Sequence, residues 1–324
     1  MANAIRVHQY GGPEAMKYET VDVGAPGAGQ VKLKQHAIGV NFIDVYQRTG
    51  LYPQPSFPFT PGNEGAGEVT AVGAGVTDLK VGDRVAYAGA IGAYADERLA
   101  PADKLVKLPD SIPYETGAAM MLQGMTVQYL LRRTYKVGPD TTLLMHAAAG
   151  GIGLIACQWA KHLGATIIGT ASSEEKCALA KAAGATHMIN YKTENFVERV
   201  NEITGGKKCD VVYDSIGKDT FPASLDCLKP LGLFVTFGNA SGPIDAFNAG
   251  ILAAKGSLYM TRPTLNTYTA TRADLVATAK DLFDVVGSGA VKINVNQKYA
   301  LKDAAQAHKD LEGRKTTGSI ILLP

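Results

Sequence analysis

The sequence predicts an α/β protein in which a doubly wound parallel sheet is inserted into a β-rich, partly open barrel domain. Three observations lead to that class. Up to about Met121, short β-like runs are broken by glycine and proline; from Leu122, strand-like runs alternate with amphipathic segments; after Arg262-Pro263 the regular alternation stops. The middle pattern is that of β-α-β units, which build parallel sheets. With 324 residues and a prior of roughly 150 residues per domain, two domains are expected. The predicted division is 1–121 with 262–324 for the β-rich domain and 122–261 for the parallel sheet.

In the first part, Val31-Lys32-Leu33-Lys34 alternates with period two, the mark of a half-buried strand. The stretches Gly67 to Gly73 and Val81 to Val85 repeat strand, glycine turn, strand, with Gly82-Asp83 as the tight turn, as a partly closed barrel requires. In the middle, six strands are predicted: Thr142 to Ala147, Thr166 to Thr170, His187 to Asn190, Asp210 to Asp214, Leu233 to Phe237 and Ser257 to Met260. Helices are expected in the first four gaps. One of them, Glu174 to Ala183, is introduced by Ser172-Ser173 and closed by Gly184, the usual asymmetry of helix start and stop. The tail holds a helix around Asp274 to Val286, a segment Asn296 to Tyr299, a helix near Asp303 to Leu311 and a strand Ser319 to Leu323. It is expected to return to the first domain, leaving a cleft of the kind where small molecules bind.

Hydrophobic residues make up 46% and charged residues 19% of the chain, the balance of a globular protein. Formal net charge is +2, and the basic pairs Arg132-Arg133 and Lys207-Lys208 lie far apart, so no nucleic-acid partner is expected. The apolar stretch Leu143 to Ala160 is interrupted by His146, Gln158 and Gly150-Gly151, which argues against a membrane span. The first ten residues lack the charged start, apolar run and cleavage site of a secretory signal, so a cytoplasmic location is expected. Cys157, Cys177, Cys209 and Cys227 are widely spaced and form no ligand pattern; reduced, buried thiols and no metal site are expected.

The sharpest local signal runs from Leu143 to Ala156, a strand leading through a glycine turn into a helix. Ala148, Gly150 and Gly153 take the three small-residue places of G-x-G-x-x-G, with alanine tolerated at the first. Gly150 would let the backbone approach a pyrophosphate, and Gly153 would let the helix pack on the strand. The helix N-terminus adds N–H donors and a positive dipole end. A packing turn without ligand is the plain alternative; the β-α-β context favours a dinucleotide.

The tip of the second strand bears on cofactor type, because an NAD site presents an acid there to the ribose hydroxyls. Here the chain reads Gly169-Thr170-Ala171-Ser172-Ser173-Glu174-Glu175-Lys176. Ser172, Ser173 and Lys176 would suit a 2′-phosphate, so NADPH is favoured. The same residues also read as an ordinary helix cap followed by a surface lysine.

At this point the chain resembles the zinc-free quinone oxidoreductases of the medium-chain dehydrogenase/reductase superfamily, a group that includes bacterial NADPH:quinone reductases and the zeta-crystallins. The likeness covers essentially the whole chain. It is carried by Leu144, Ala148-Ala149-Gly150-Gly151, Gly153, Gln158 and Lys161, and by the segments Asn41 to Tyr46, Gly50 to Pro53, Pro61 to Gly65, Gln123 to Thr126, Phe237 to Asn239 and Thr261 to Pro263. The resemblance implies a Rossmann-type sheet inserted into a GroES-like domain. Zinc-dependent relatives place a Cys where this chain has Asn41 and a His where it has Asn63. Amides are poor substitutes for thiolate and imidazole, so activation of an alcohol by a metal is not expected.

What the resemblance implies instead is hydride transfer from NADPH to a small quinone. Asn41, Asp44, Tyr46 and Thr126 would lie around the nicotinamide, with Phe42 and Tyr129 also against the cofactor. Gly150, Gly151, Ile152, Ser172, Ser173, Lys176, Tyr191, Ser215, Phe237 and Asn239 would hold its remainder. Arg314 is either a second cation for the 2′-phosphate or a solvated charge beside Lys315. Tyr46 and Tyr52 would face the acceptor, and with Asn41 they are the candidate catalytic residues; a packing role with one satisfied hydroxyl is the alternative for both tyrosines. Glu64 and Asp83 read as residues that stabilise glycine turns. Two other functions fit the fold: reduction of an enal or enone, and a structural or RNA-binding role of the zeta-crystallin kind. A homodimer joined along the strand near Ser257 to Met260 is expected from the resemblance.

Overall fold

The computed structural model describes residues 1–324. The chain forms two compact units, one of residues 1–125, 269–287 and 293–324, the other of residues 126–268 and 288–292.

The first unit is built mainly on antiparallel pairing, with Val295–Ala300 and Ser319–Leu323 as its one parallel pair. Its main sheet runs Val295–Ala300, Ser319–Leu323, Gln30–Val40, Glu64–Val72, Arg84–Ala88, Val106–Lys107, and Glu97–Pro101 pairs with Gln30–Val40 as well. The tail contributes to this sheet: Ile320, Ile321 and Leu322 pair with Val40, Gly39 and Ile38. Alternation sorts Val31 and Leu33 into a core with Ile38, Val69, Val85, Tyr87, Ile320 and Leu322, while Lys32 and Lys34 lie outside it. At the predicted turn Gly82 adopts φ +88°, a conformation that suits glycine.

The second unit holds a six-stranded parallel sheet, in the order His187–Asn190, Thr166–Ala171, Thr142–Met145, Cys209–Asp214, Leu228–Thr236, Tyr259–Thr261. Each predicted strand is present, His187–Asn190 with the predicted bounds and the others with one or both ends displaced by a few residues. Helices Gly151–His162, Glu174–Ala182 and Phe196–Ile203 fill the first three gaps. The fourth gap corrects the expectation: it contains only the 3-10 segment Ala223–Cys227. Gly217 at φ +90° and Pro222 at its start leave too few residues for a full helix. Leu144, Ile168, Val212 and Phe234 form the centre of this unit's core. All four cysteines are buried and none forms a disulfide. No helix is long and apolar enough to cross a membrane.

Candidate active site

The parallel sheet explains why residues scattered over a hundred positions can serve one ligand. Strand Thr142–Met145 lies between Thr166–Ala171 and Cys209–Asp214, so the chain winds outward on one side of it and then resumes on the other. Open α/β sheets bind ligands beyond the carboxyl ends of their strands at such a reversal. Gly150 to Ile152, Ser172 and Ser173, Tyr191, Ser215, and Phe237 with Asn239 all follow the carboxyl end of a strand in this sheet.

The glycine turn fits a dinucleotide. Gly150 is the N-cap of helix Gly151–His162, with φ −76° and ψ 173°. Neither its backbone nor its packing is crowded, since a Cβ there would meet only the Ala147 oxygen at 3.3 Å. The space beside Gly150 is what a pyrophosphate needs. Gly153 differs: a Cβ there would lie 2.6 Å from two backbone carbons of Ala148. Ala147 carries φ +53°, and the Ala148 N–H donates to Thr170 at 3.0 Å, which ties the turn to the neighbouring strand.

At the next strand end, Ser173 caps helix Glu174–Ala182 by accepting from the Lys176 N–H at 3.3 Å. The Ser173 hydroxyl also bonds the Glu175 carboxylate and holds it below the usual range. Glu174 accepts from Asn190 Nδ2 at 2.7 Å. Both acids therefore have their own partners at this strand end.

The loops after the fourth and fifth strands are pressed together. Phe237 N–H donates to Asp214, Ala240 to Ser215 and Ser241 to Ile216, at 2.8, 3.1 and 2.9 Å. A Cβ on Gly238 would approach the Ser215 Cα to 2.9 Å, so glycine is required for this contact. Ser215, Phe237 and Asn239 are thus brought to one place. Arg262, which the sequence marked only within the segment Thr261 to Pro263 and not as a site residue, braces them by donating to Thr236 Oγ1 and the Gly238 carbonyl, both at 3.1 Å. Thr126 and Tyr129 lie on helix Tyr114–Tyr129, hydrogen-bonded to each other. Tyr129 stacks on Tyr268, and burial pushes its phenol up.

In the first unit, Asn41 is the N-cap of helix Phe42–Thr49. Asp44 closes a capping box by accepting from the Asn41 N–H at 2.9 Å. Tyr46 lies two residues further along, its ring edge-on to Tyr52 at 5.2 Å and in contact with Phe42 at 6.2 Å. The Tyr52 N–H donates to the Tyr46 carbonyl at 3.0 Å, so the phenols are held as a pair. Arg314 follows helix Ala304–Glu312 with φ +56°, its N–H bonded to Leu311.

Around Asn41 the structure holds a buried polar network that the sequence did not reveal. Asn63 Nδ2 donates to Asp44 Oδ1 and Gln47 Oε1, both at 2.7 Å, and Tyr94 donates to Asp44 Oδ2 at 3.0 Å. Burial pushes the Asp44 carboxyl up to about 6, against these donors. Because the Tyr94 proton goes to Asp44, its oxygen accepts from His308 Nε2 at 2.9 Å, and His308 Nδ1 accepts from Arg48 at 3.0 Å. Burial and Arg48 together depress His308 to about 3, consistent with a neutral ring. Glu64 also corrects the expectation. It opens a strand and is not a turn residue: it is wholly buried and bonded to Asn41 and the Leu122 N–H. Asp83 does stay in its turn, accepting from Lys80 and paired with Lys107.

Residues 151–282 match the family model described as zinc-binding dehydrogenase, and residues 27–110 the one described as alcohol dehydrogenase GroES-like domain. Fold and site therefore define a dinucleotide-dependent member of the medium-chain dehydrogenase/reductase superfamily. The quinone oxidoreductase of Pseudomonas aeruginosa is 55% identical over 325 residues, covering 100% of both chains. The crystal structure of Escherichia coli quinone oxidoreductase complexed with NADPH has a TM-score of 0.98 at 51% identity, again over 100% of both. The 2-haloacrylate reductase of a Burkholderia species is 49% identical over 332 residues, covering 100% of this chain and 99% of that one. The chain belongs to the quinone oxidoreductase family of this superfamily.

Proposed function

We infer that this protein is an NADPH-dependent quinone oxidoreductase. The observation that carries the reading is its full-length likeness to a quinone oxidoreductase solved with NADPH. The glycine turn and strand ends suit that cofactor: Gly150 leaves room, the N–H groups of Gly151 and Ile152 face the phosphates, and Ser172 with Lys176 holds the 2′-phosphate. Ser173, Tyr191, Ser215, Phe237, Asn239, Thr126 and Tyr129 are assigned to the remaining contacts, with Arg314 as a second cation. Asn41, Phe42, Asp44 and Tyr46 are assigned to the nicotinamide end.

Bound NADPH supplies a hydride to an acceptor that is already electrophilic, so Asn41 and Asn63 in place of metal ligands are no obstacle. The phenols of Tyr46 and Tyr52 donate to the reduced carbonyl oxygen, where charge develops. One hydride and one proton complete the hydroquinone.

The test is NADPH oxidation by chelator-treated protein with 1,4-benzoquinone, a naphthoquinone and an α,β-unsaturated aldehyde, repeated with NADH. Quinone turnover with NADPH preferred is the expected result; turnover confined to the aldehyde overturns the assignment. Reduction of an electron-poor carbon–carbon double bond is the second reading, favoured by the 2-haloacrylate reductase relative. For the 2′-phosphate, Lys176→Ala is expected to raise the KM for NADPH by about tenfold to a hundredfold, the worth of a charge-assisted bond. The KM for NADH should be unchanged, and equal loss with both cofactors would remove Lys176 from the phosphate site.

The proposed assembly is a cytoplasmic homodimer. Tyr259–Thr261 is an edge strand with Tyr259 exposed, an element suited to pairing with its own copy.

A further inference from the structure

Behind Asn41 lies a line of four buried side chains from four parts of the chain. Glu64, Asn41, Gln123 and Ser319 are 0%, 6%, 7% and 2% exposed. Asn41 Nδ2 donates to Glu64 Oε2 at 2.7 Å, Gln123 Nε2 donates to Asn41 Oδ1 at 3.1 Å, and Ser319 Oγ donates to Gln123 Oε1 at 2.9 Å. All donors point toward the carboxylate.

The far end of the line has a property that decides its behaviour. Ser319 Oγ also lies 3.0 Å from the Ala119 carbonyl, so one hydroxyl proton has two acceptors. If Ser319 gives that proton to Ala119, its oxygen accepts from Gln123 Nε2. Both amides then turn over, Asn41 Nδ2 donates to Gln123 Oε1, and Asn41 Oδ1 accepts a proton from Glu64. Every group is satisfied in either direction, provided Glu64 is an acid in one and a carboxylate in the other.

We propose that Glu64 is a positioning residue for Asn41: when it gains or loses a proton, the chain Glu64–Asn41–Gln123–Ser319 reverses its hydrogen-bond direction as one unit. The consequence for the reaction rests on the assignment of Asn41 to the nicotinamide end. Each reversal exchanges the places of donor and acceptor on the Asn41 amide, so the ring meets a differently poled edge.

The groups that face Glu64 set the range of the switch. They are Asp44 on the helix Asn41 begins and the buried phenols Tyr87 and Tyr94. Burial pushes Glu64 up to about 8; Asp44, which lies at about 6, adds to the rise, and the bonds from Asn41 and Leu122 oppose it. The acid form is therefore favoured below about pH 8 and the carboxylate above it.

The test needs neither NADPH nor quinone. The side-chain NH2 signals of Asn41 and Gln123 in 15N-labelled protein are followed by NMR from about pH 6.5 to 9.5. Both are expected to shift together with one midpoint near 8. In Glu64→Gln, which bonds like the acid form, both should stay flat. Flat signals in the wild type overturn the proposal, so it remains testable even if the variant does not fold; a midpoint that survives in Glu64→Gln overturns it too. The kinetic arm is the pH profile of kcat/KM with NADPH and 1,4-benzoquinone. An inflection near 8 that Glu64→Gln abolishes is expected. Signals that titrate while kcat/KM does not would remove the effect on Asn41's role, and absence of any turnover would fault the functional assignment alone.

Discussion

Gly153→Val is expected to lower the unfolding free energy by about 3 kcal/mol, the upper range for overpacking, and to abolish dinucleotide binding. The reason is that the added Cβ meets backbone and not a side chain. Two carbons of Ala148 stand 2.6 Å from where it would be, and the Ala148 N–H is bonded to Thr170, so the turn cannot retreat without leaving the sheet. Gly150→Ala is the control, because its Cβ has a single neighbour at 3.3 Å. It should cost about 1 kcal/mol or less and still weaken NADPH binding. Urea unfolding and a fluorescence titration with NADPH separate the two effects. Equal stability of the two variants would mean that the turn is looser than the structure shows.

Arg48→Ala is the other large effect. The guanidinium is 1% exposed and donates to the Gly11 carbonyl, to His308 and to both oxygens of Glu312. Removing one partner of a buried pair costs about 3–5 kcal/mol. Glu312 is 34% exposed, so water relieves part of the loss and the lower figure is expected. The variant also changes the acid limb. His308 is held to about 3, below its ordinary 6.5, so the unfolded chain binds this proton first and stability falls as pH drops from about 6.5 toward 3. Without Arg48 the folded ring accepts the proton more readily, and that part of the slope becomes shallower. Thermal unfolding between those limits measures both predictions; an unchanged slope would show that burial alone controls His308.

What the sequence revealed and what it hid differ by sequence separation. The strand positions of the β-α-β units, the Ser173 cap and the turn at Gly150 depend on neighbours within a few residues, and each was readable. The helix expected after Asp214 failed for a local reason too, since Gly217 and Pro222 break a stretch whose length alone suggested one. Glu64 was misread because an acid between Asn63 and Gly65 has the composition of a turn. Its actual partners, Asn41 and Leu122, lie 23 and 58 residues away. Tyr94 and His308 are 214 apart, and Arg48 and Glu312 are 264 apart. No periodicity or spacing reports such pairings, because only the folded chain brings these helices, strands and loops together. The tyrosine pair was legible as residue types, and its edge-on geometry was not.

The strand Ser319–Leu323 lies inside its sheet, with Val295–Ala300 on one side and Gln30–Val40 on the other. On a translating ribosome it is made after every other strand. The parallel-sheet unit has all its strands by residue 261, so it can fold while the first unit still waits for a central piece. Until then Ile38 to Val40, the part of Gln30–Val40 that pairs with it, offers a short open edge to any other nascent chain. Ribosome pausing or chaperone release late in synthesis would therefore govern yield more than the same events earlier.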